Sequence, residues 1–558
     1  MFTFSTEVGF SDINNTYLVK SKIPSNLVLH FGDIWMIDQI FKKSSLESVL
    51  ENVIPESSDT FKALIAHRII NKDEASCYAE EWYRKSYANI LYPCARLESP
   101  RISEFHAKIG TEENYRKFFS SYLNIISKKD EFANKISLPI LIDSTGVPNA
   151  IKTHLTAINS HNGKISNEMR LIYVADKNTK LPIYFRCVPG NIIDNSTLIT
   201  TFNTLIAYDL KIELVIIDAG YFSGNNLEQL TKNNIPYLTR MPKHRTEYKE
   251  LMAEHGSDLF CGQNYITYHD RVLFCKKVPT KLFGSSNYAY IIMDFLEFHD
   301  ELKKKAITSK DDPNKSTIFD EFKDSAGRFL ILSSNDYEID DIMQLYYSRQ
   351  IIEQIFDISK TYTGLTPQRG WSEETIRGTL LISFIATVIY SYIGNKLADS
   401  KFSPHGALKY MHNIHIKIYE SITLIEDLTK IQKDIFNHLE LACPFELESL
   451  NPLHKASFLK PSEKKKRGRP KGTKNKPKPG SAFDMSLTPG DIPKSGRSRG
   501  RPKGSKNKPK PGSAFDMSLT PGDIPKSGRS RGRPKGSKNK PKPELAVVTS
   551  QTPDDILK

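Results

Sequence analysis

Tyr346-Tyr-Ser-Arg349-Gln-Ile-Ile-Glu353-Gln-Ile-Phe356-Asp-Ile-Ser-Lys360 is the stretch on which the reading of this chain turns. An α-helix advances ~100° per residue, so from Tyr346 the side chains of Arg349, Glu353 and Lys360 project at roughly 300°, 340° and 320°. All four share one narrow stripe. Leu345, Ile352 and Phe356 form a second stripe that can anchor the helix in a core. A carboxylate held among two cations and a phenol suits a protein that must hold a metal ion and a phosphate backbone together. The same spacing also serves a solvated face with i,i+4 ion pairs, so the stretch has to be read with the rest of the chain.

Two upstream aspartates supply further ligands. Leu138-Pro-Ile-Leu-Ile-Asp143-Ser-Thr-Gly146 and Glu213-Leu-Val-Ile-Ile-Asp218-Ala-Gly220 are short apolar runs that end in a carboxylate. Each reads as a buried strand with an acid at its end. Small residues after each Asp let a ligand approach the backbone closely. Asp176, after Leu171-Ile-Tyr-Val-Ala175, has the same local look and is a rival.

The Tyr346-x2-Arg349-x3-Glu353-x6-Lys360 pattern resembles, at every spacing, the Tyr–Arg–Glu–Lys signature of a group of bacterial insertion-sequence transposases. These are DDE transposases with an RNase H-like catalytic domain. The resemblance runs from about residue 30 to about residue 400. It implies metal-dependent phosphoryl transfer on DNA, with Asp143, Asp218 and Glu353 as catalytic ligands of two Mg²⁺ (or Mn²⁺) ions. It implies Tyr346, Arg349 and Lys360 as contacts to phosphates of the element end. It also implies DNA partners (terminal inverted repeats and target DNA), a homodimer in the synaptic complex, and a cytoplasmic, nucleoid-associated location. Ala219 departs from the pattern, since relatives often carry Arg or a similar residue after that aspartate.

Charge is unevenly spread. The net charge is +14 over 558 residues, yet residues 461–543 alone hold 25 Lys or Arg against five Asp or Glu. The body is near neutral and the tail is a polycation. Lys466-Arg-Gly-Arg-Pro-Lys-Gly472 recurs as Ser498-Arg-Gly-Arg-Pro-Lys-Gly504 and Ser530-Arg-Gly-Arg-Pro-Lys-Gly536. A segment so rich in Pro, Gly, Lys and Ser cannot bury a core and is expected to be disordered when free. Its Arg-Gly-Arg-Pro units resemble AT-hooks, with Arg467, Arg469, Arg499, Arg501, Arg531 and Arg533 entering an A·T-rich minor groove. The six cysteines form no C-x2-C pair, which argues against zinc and fits a reducing compartment. No signal-peptide pattern begins the chain. The apolar stretch Thr379 to Ile393 is short for a membrane span and reads as a buried helix. Without a Gly-rich loop before Lys-Ser/Thr, ATP use is not expected.

The expected layout is an α/β chain. Residues 1–135 are a helical DNA-binding region, and 136–241 are the first part of an RNase H-like catalytic domain. Residues 242–327 are an inserted β-rich domain. Residues 328–400 complete the catalytic domain with the glutamate helix, 401–460 are helical, and 461–558 are the disordered tail. Short gaps among the first three strands predict antiparallel pairing. A crossover helix over Asn195 to Tyr208 predicts a fourth strand parallel to the first, which would unite Asp143 and Asp218. Lys303 to Ser316 reads as a loop. Tyr265, Tyr268, Phe283, Tyr288 and Tyr290 are candidates for base stacking. His412-x2-His415 has ligand-like spacing but no evident third ligand, and His161 follows the first aspartate closely enough to lie near the site. Beside a cut-and-paste transposase stand two other readings, a non-catalytic AT-hook DNA-binding protein descended from one, and a metal-dependent nuclease without strand transfer.

Overall fold

The computed structural model describes residues 27–127, 137–149, 151–159, 166–310, 312–323, 325–366, 370–418 and 423–444. The three hook repeats and His161 lie outside these described residues. The fold is mixed α/β and is organised by one sheet of ten strands. The strands are β2 Leu138–Pro148, β3 Ala157–Asn159, β4 Ser166–Asp176, β5 Leu181–Pro189, β6 Ile212–Ile217, β7 Tyr237–Met241, β8 Tyr265–Tyr268, β9 Arg271–Leu282, β10 Ser285–Asp294 and β11 Arg328–Ser333. A separate three-stranded sheet joins β1 Leu27–His30 to β12 His415–Ile418 and β13 Thr423–Ile425.

The strand order is β3-β4-β2-β6-β7-β11-β10-β9-β8, with β5 also paired to β4. The antiparallel pairs β2–β4 and β4–β5 and the parallel pair β2–β6 follow the directions read from the gap lengths. Helix Asp194–Ala207 makes the crossover that a parallel return requires. Both central strands are continuous apolar runs because both faces are covered: Ile140 to Ile142 and Val215 to Ile217 are at most 2 % exposed.

Residues 242–327 do not form a separate β domain. Strands β8, β9 and β10 extend the main sheet by pairing β10 on β11 and β11 on β7. The stretch expected as a loop is mostly helical, in Phe295–Thr308 and Lys315–Lys323. Asp294 starts the first of these helices by accepting from the backbone N–H groups of Leu296 and Glu297. Lys303, Lys304, Lys305 and Ala306 at the start of that polar stretch are good helix formers once that cap is in place. Of the five aromatic stacking candidates, Tyr290 is fully buried, Tyr268 stacks on Tyr347 and Phe283 packs edge-on against Phe222. Tyr265 remains about half exposed.

The two helical flanks form one body rather than separate regions. β1 pairs with β12, and helix Gly32–Lys43 packs on helix Pro404–His412. Helix Glu373–Lys396 is long and apolar enough to cross a membrane, yet 83% of its apolar window is buried inside the fold. It packs against helices Ser58–Ile70 and Ser99–Ile109 and against β5. Its Ser383 donates to the Thr363 carbonyl, and Thr387 bonds to Ser359 and Thr363. These hydroxyls dock the helix against the end of the glutamate helix, which accounts for Ser383 and Thr387 in an apolar segment.

Candidate active site

Strand direction brings the first two acids together. Ile142 of β2 stands beside Ile217 of the parallel β6, so Asp143, midway along β2 and paired with Tyr173 of β4, and Asp218, just past the end of β6, follow at the same level. Asp176 does not compete. It sits opposite Ile140, about 10 Å back along the strand by the ~3.3 Å rise per residue. Its carboxylate, 1 % exposed, accepts from the Asn178 and Thr179 backbone N–H groups and the Thr179 hydroxyl. It closes the turn from β4 to β5.

The third acid arrives on a helix that is broken where continuity was expected. One helix spans Ile339–Tyr347 and a second spans Gln350–Thr361, with Ser348 and Arg349 between them. Ser348 turns its hydroxyl onto the Leu345 carbonyl, and the Arg349, Ile351 and Ile352 N–H groups bond three residues back. Such local bonding competes with the regular helical ladder. The single-stripe geometry therefore holds within the second helix but not across the break. Ile352, Ile355, Phe356 and Ser359 are buried on that helix, while Glu353 is exposed on its first turn.

Arg349 is the hub. Its guanidinium lies 3.5 Å from Asp143, 3.1 Å from Asp218 and 3.3 Å from Glu353. Burial works against its charge, but Asp218, Asp143 and Glu353 outweigh it and raise its pKa. The pKa of Asp143 is pushed up to about 6, chiefly by burial. The Ser144 backbone N–H and Arg349 work the other way, and Asp218 and Asp194 reinforce the rise. Among the described residues no group of three or more His, Cys, Asp or Glu stands in ion-holding geometry. The acids are gathered around a guanidinium instead. Three hard carboxylate donors sharing one cation are nonetheless the donor chemistry that fits Mg²⁺ or Mn²⁺.

Lys360 lies two turns further along and donates to the Thr145 hydroxyl at 2.5 Å, so it hangs over β2 just past Asp143. Burial lowers its pKa, with Glu168 opposing. Tyr346 departs from the expected role. It is 2 % exposed, its phenol is pushed up to about 12 by burial, and its ring centroid lies 6.0 Å from the Arg349 guanidinium carbon. A residue so buried can support Arg349 but does not present itself to a phosphate.

Sequence reading missed Asp194. It is the first residue of the crossover helix, and its carboxylate accepts from Ser144 at 2.6 Å and from Arg170 at 2.7 Å. A signal was available. β5 runs in the same direction as β2, so the segment after β5 emerges at the end toward which β2 runs. His412 and His415 gain a third imidazole that spacing could not reveal. His30 stacks on His412 with ring centroids 4.1 Å apart, and His412 bonds the buried Asp33 at 2.7 Å. The stacked rings and that carboxylate contact make the cluster a clasp between β1 and the Pro404–His412 helix.

Residues 136–389, which include Asp143, Asp218, Arg349, Glu353 and Lys360, match the family model described as Transposase DDE domain. Among solved structures, the chain is similar to the piggyBac transposase in its synaptic complex with hairpin DNA. That likeness has 12% sequence identity and a TM-score of 0.36, and covers 77% of this chain and 83% of that one. No curated protein matches the sequence.

Proposed function

We propose that this chain is a DDE transposase, with an RNase H-like catalytic core, that binds the ends of an insertion element and catalyses metal-dependent cleavage and strand transfer. The observation that carries the reading is the convergence of Asp143, Asp218 and Glu353 on Arg349. The match of residues 136–389 to transposase DDE domains supports it. Asp143, Asp218 and Glu353 would hold two divalent ions, which when bound supply activation of a water or 3′-hydroxyl and stabilisation of the leaving oxygen. Arg349 exchanges its carboxylate partners for a DNA phosphate, which a guanidinium grips with two parallel bonds. Lys360 adds a point charge beside β2. Tyr346 braces Arg349 from the core. The repeats after residue 461 would bind A·T-rich DNA.

The test is cleavage of a duplex carrying the inverted repeats that flank the coding region, in Mg²⁺ and in chelator. Cleavage with joining of the freed 3′ end to a second duplex supports a transposase. Cleavage without joining assigns a nuclease. Binding without cleavage in any divalent ion leaves only a DNA-binding protein.

A further inference from the structure

Asp194 ties together β2, which carries Asp143, and its neighbour β4. One carboxylate oxygen accepts from the Ser144 hydroxyl at 2.6 Å and from Arg170 at 2.7 Å. The other faces the turn after β6, where a Cβ added to Gly220 would lie 3.5 Å away. Gly220 is two residues past Asp218. Ser144 in turn donates its backbone N–H to the Asp143 carboxylate at 2.8 Å. Arg170, 6 % exposed, stands on β4 opposite Gly146 and is thus fixed by the sheet. A buried cation therefore anchors Asp194, Asp194 holds Ser144, and Ser144 holds Asp143.

We infer that Asp194 is a positioning residue, which through Ser144 fixes the aim of Asp143 toward the ion-binding centre. The inference rests on the proposed role of Asp143 as a metal ligand. Groups that orient ligating carboxylates change metal affinity or activity by ~10–100-fold when removed. Arg170 alone would explain Asp194 as a partner for a buried charge. It would not explain why the same oxygen also takes the Ser144 hydroxyl.

The test uses the full chain and Mn²⁺ titration followed by electron paramagnetic resonance, with melting in chelator as the control for folding. Asp143→Asn should lose Mn²⁺ binding. Asp194→Asn and Ser144→Ala should each weaken it by ~10–100-fold. Ser144→Ala leaves no buried charge unpaired, so its melt in chelator should match wild type, and it decides the matter if Asp194→Asn does not fold. Wild-type Mn²⁺ affinity in Ser144→Ala, with Asp143→Asn impaired, overturns the inference and reduces Asp194 to a partner of Arg170. Wild-type affinity in Asp143→Asn removes the ligand reading itself, and the inference with it.

Discussion

Removing the guanidinium at the hub is the sharpest test of the site. Arg349→Ala leaves three carboxylates facing one another. The contact that matters most is with Asp143, because both side chains are under a fifth exposed (19% and 17%). At 3.5 Å and an effective dielectric of ~20 the attraction is about 5 kcal/mol before desolvation is returned. Asp218 and Glu353 are 37% and 55% exposed, so screening leaves each pair ~0–1 kcal/mol. Asp143 has an escape, since it can take up a proton. With its pKa already about 6, protonating it at pH 8 costs about 3 kcal/mol, and close to nothing at pH 6. The loss in the variant is therefore capped at ~3 kcal/mol at pH 8 and shrinks toward zero at pH 6. Denaturant unfolding in chelator at the two pH values measures this directly. Millimolar Mg²⁺ should then stabilise the variant more than wild type, since the carboxylates no longer have a resident cation. An equal loss at pH 6 and pH 8, or equal Mg²⁺ stabilisation of both proteins, would refute the reasoning.

Glu353→Gln should abolish cleavage of an element-end duplex while leaving its binding within a few-fold, as gel-shift and cleavage assays on one preparation can check; near-normal cleavage in Mg²⁺ removes Glu353 from the site. Asp143→Asn should gain stability above pH 6. The wild-type carboxyl is raised from 3.8 to about 6, so its contribution is present below pH 4 and lost as pH rises through 6, and the neutral amide avoids up to ~3 kcal/mol of that loss. Superimposable stability–pH curves for the two proteins would contradict this. Lys360→Ala should slow cleavage by ~100-fold through lost alignment with little change in Mn²⁺ affinity, and a matching loss in both would make it a structural residue. Changing Arg467, Arg469, Arg499, Arg501, Arg531 and Arg533 to Lys keeps the charge and should erase a preference for A·T over G·C duplexes while retaining most of the affinity; an unchanged preference marks the tail as a simple polycation.

Short-range chemistry was legible in the linear chain. Apolar runs ending at Asp143 and Asp218 announced strands, and their gap lengths announced pairing directions, because strand spacing and crossover length constrain each other. The i,i+4 relation of Arg349 and Glu353 and the seven-residue step from Glu353 to Lys360 survive in the structure, since both lie within about two helical turns. The arginine-glycine repeats announced a polycation on composition alone. What spacing could not decide was anything set by contacts distant in sequence. Which acids Arg349 meets depends on residues 131 and 206 positions away in the chain. Tyr346 is buried because the sheet and its neighbours cover it. Strands β8 to β10 join the main sheet because β11 offers an open edge. Asp194 reaches Ser144 only because β5 delivers it to the same edge as β2. Periodicity reports which face a residue occupies, but only the packed tertiary structure decides what stands opposite that face.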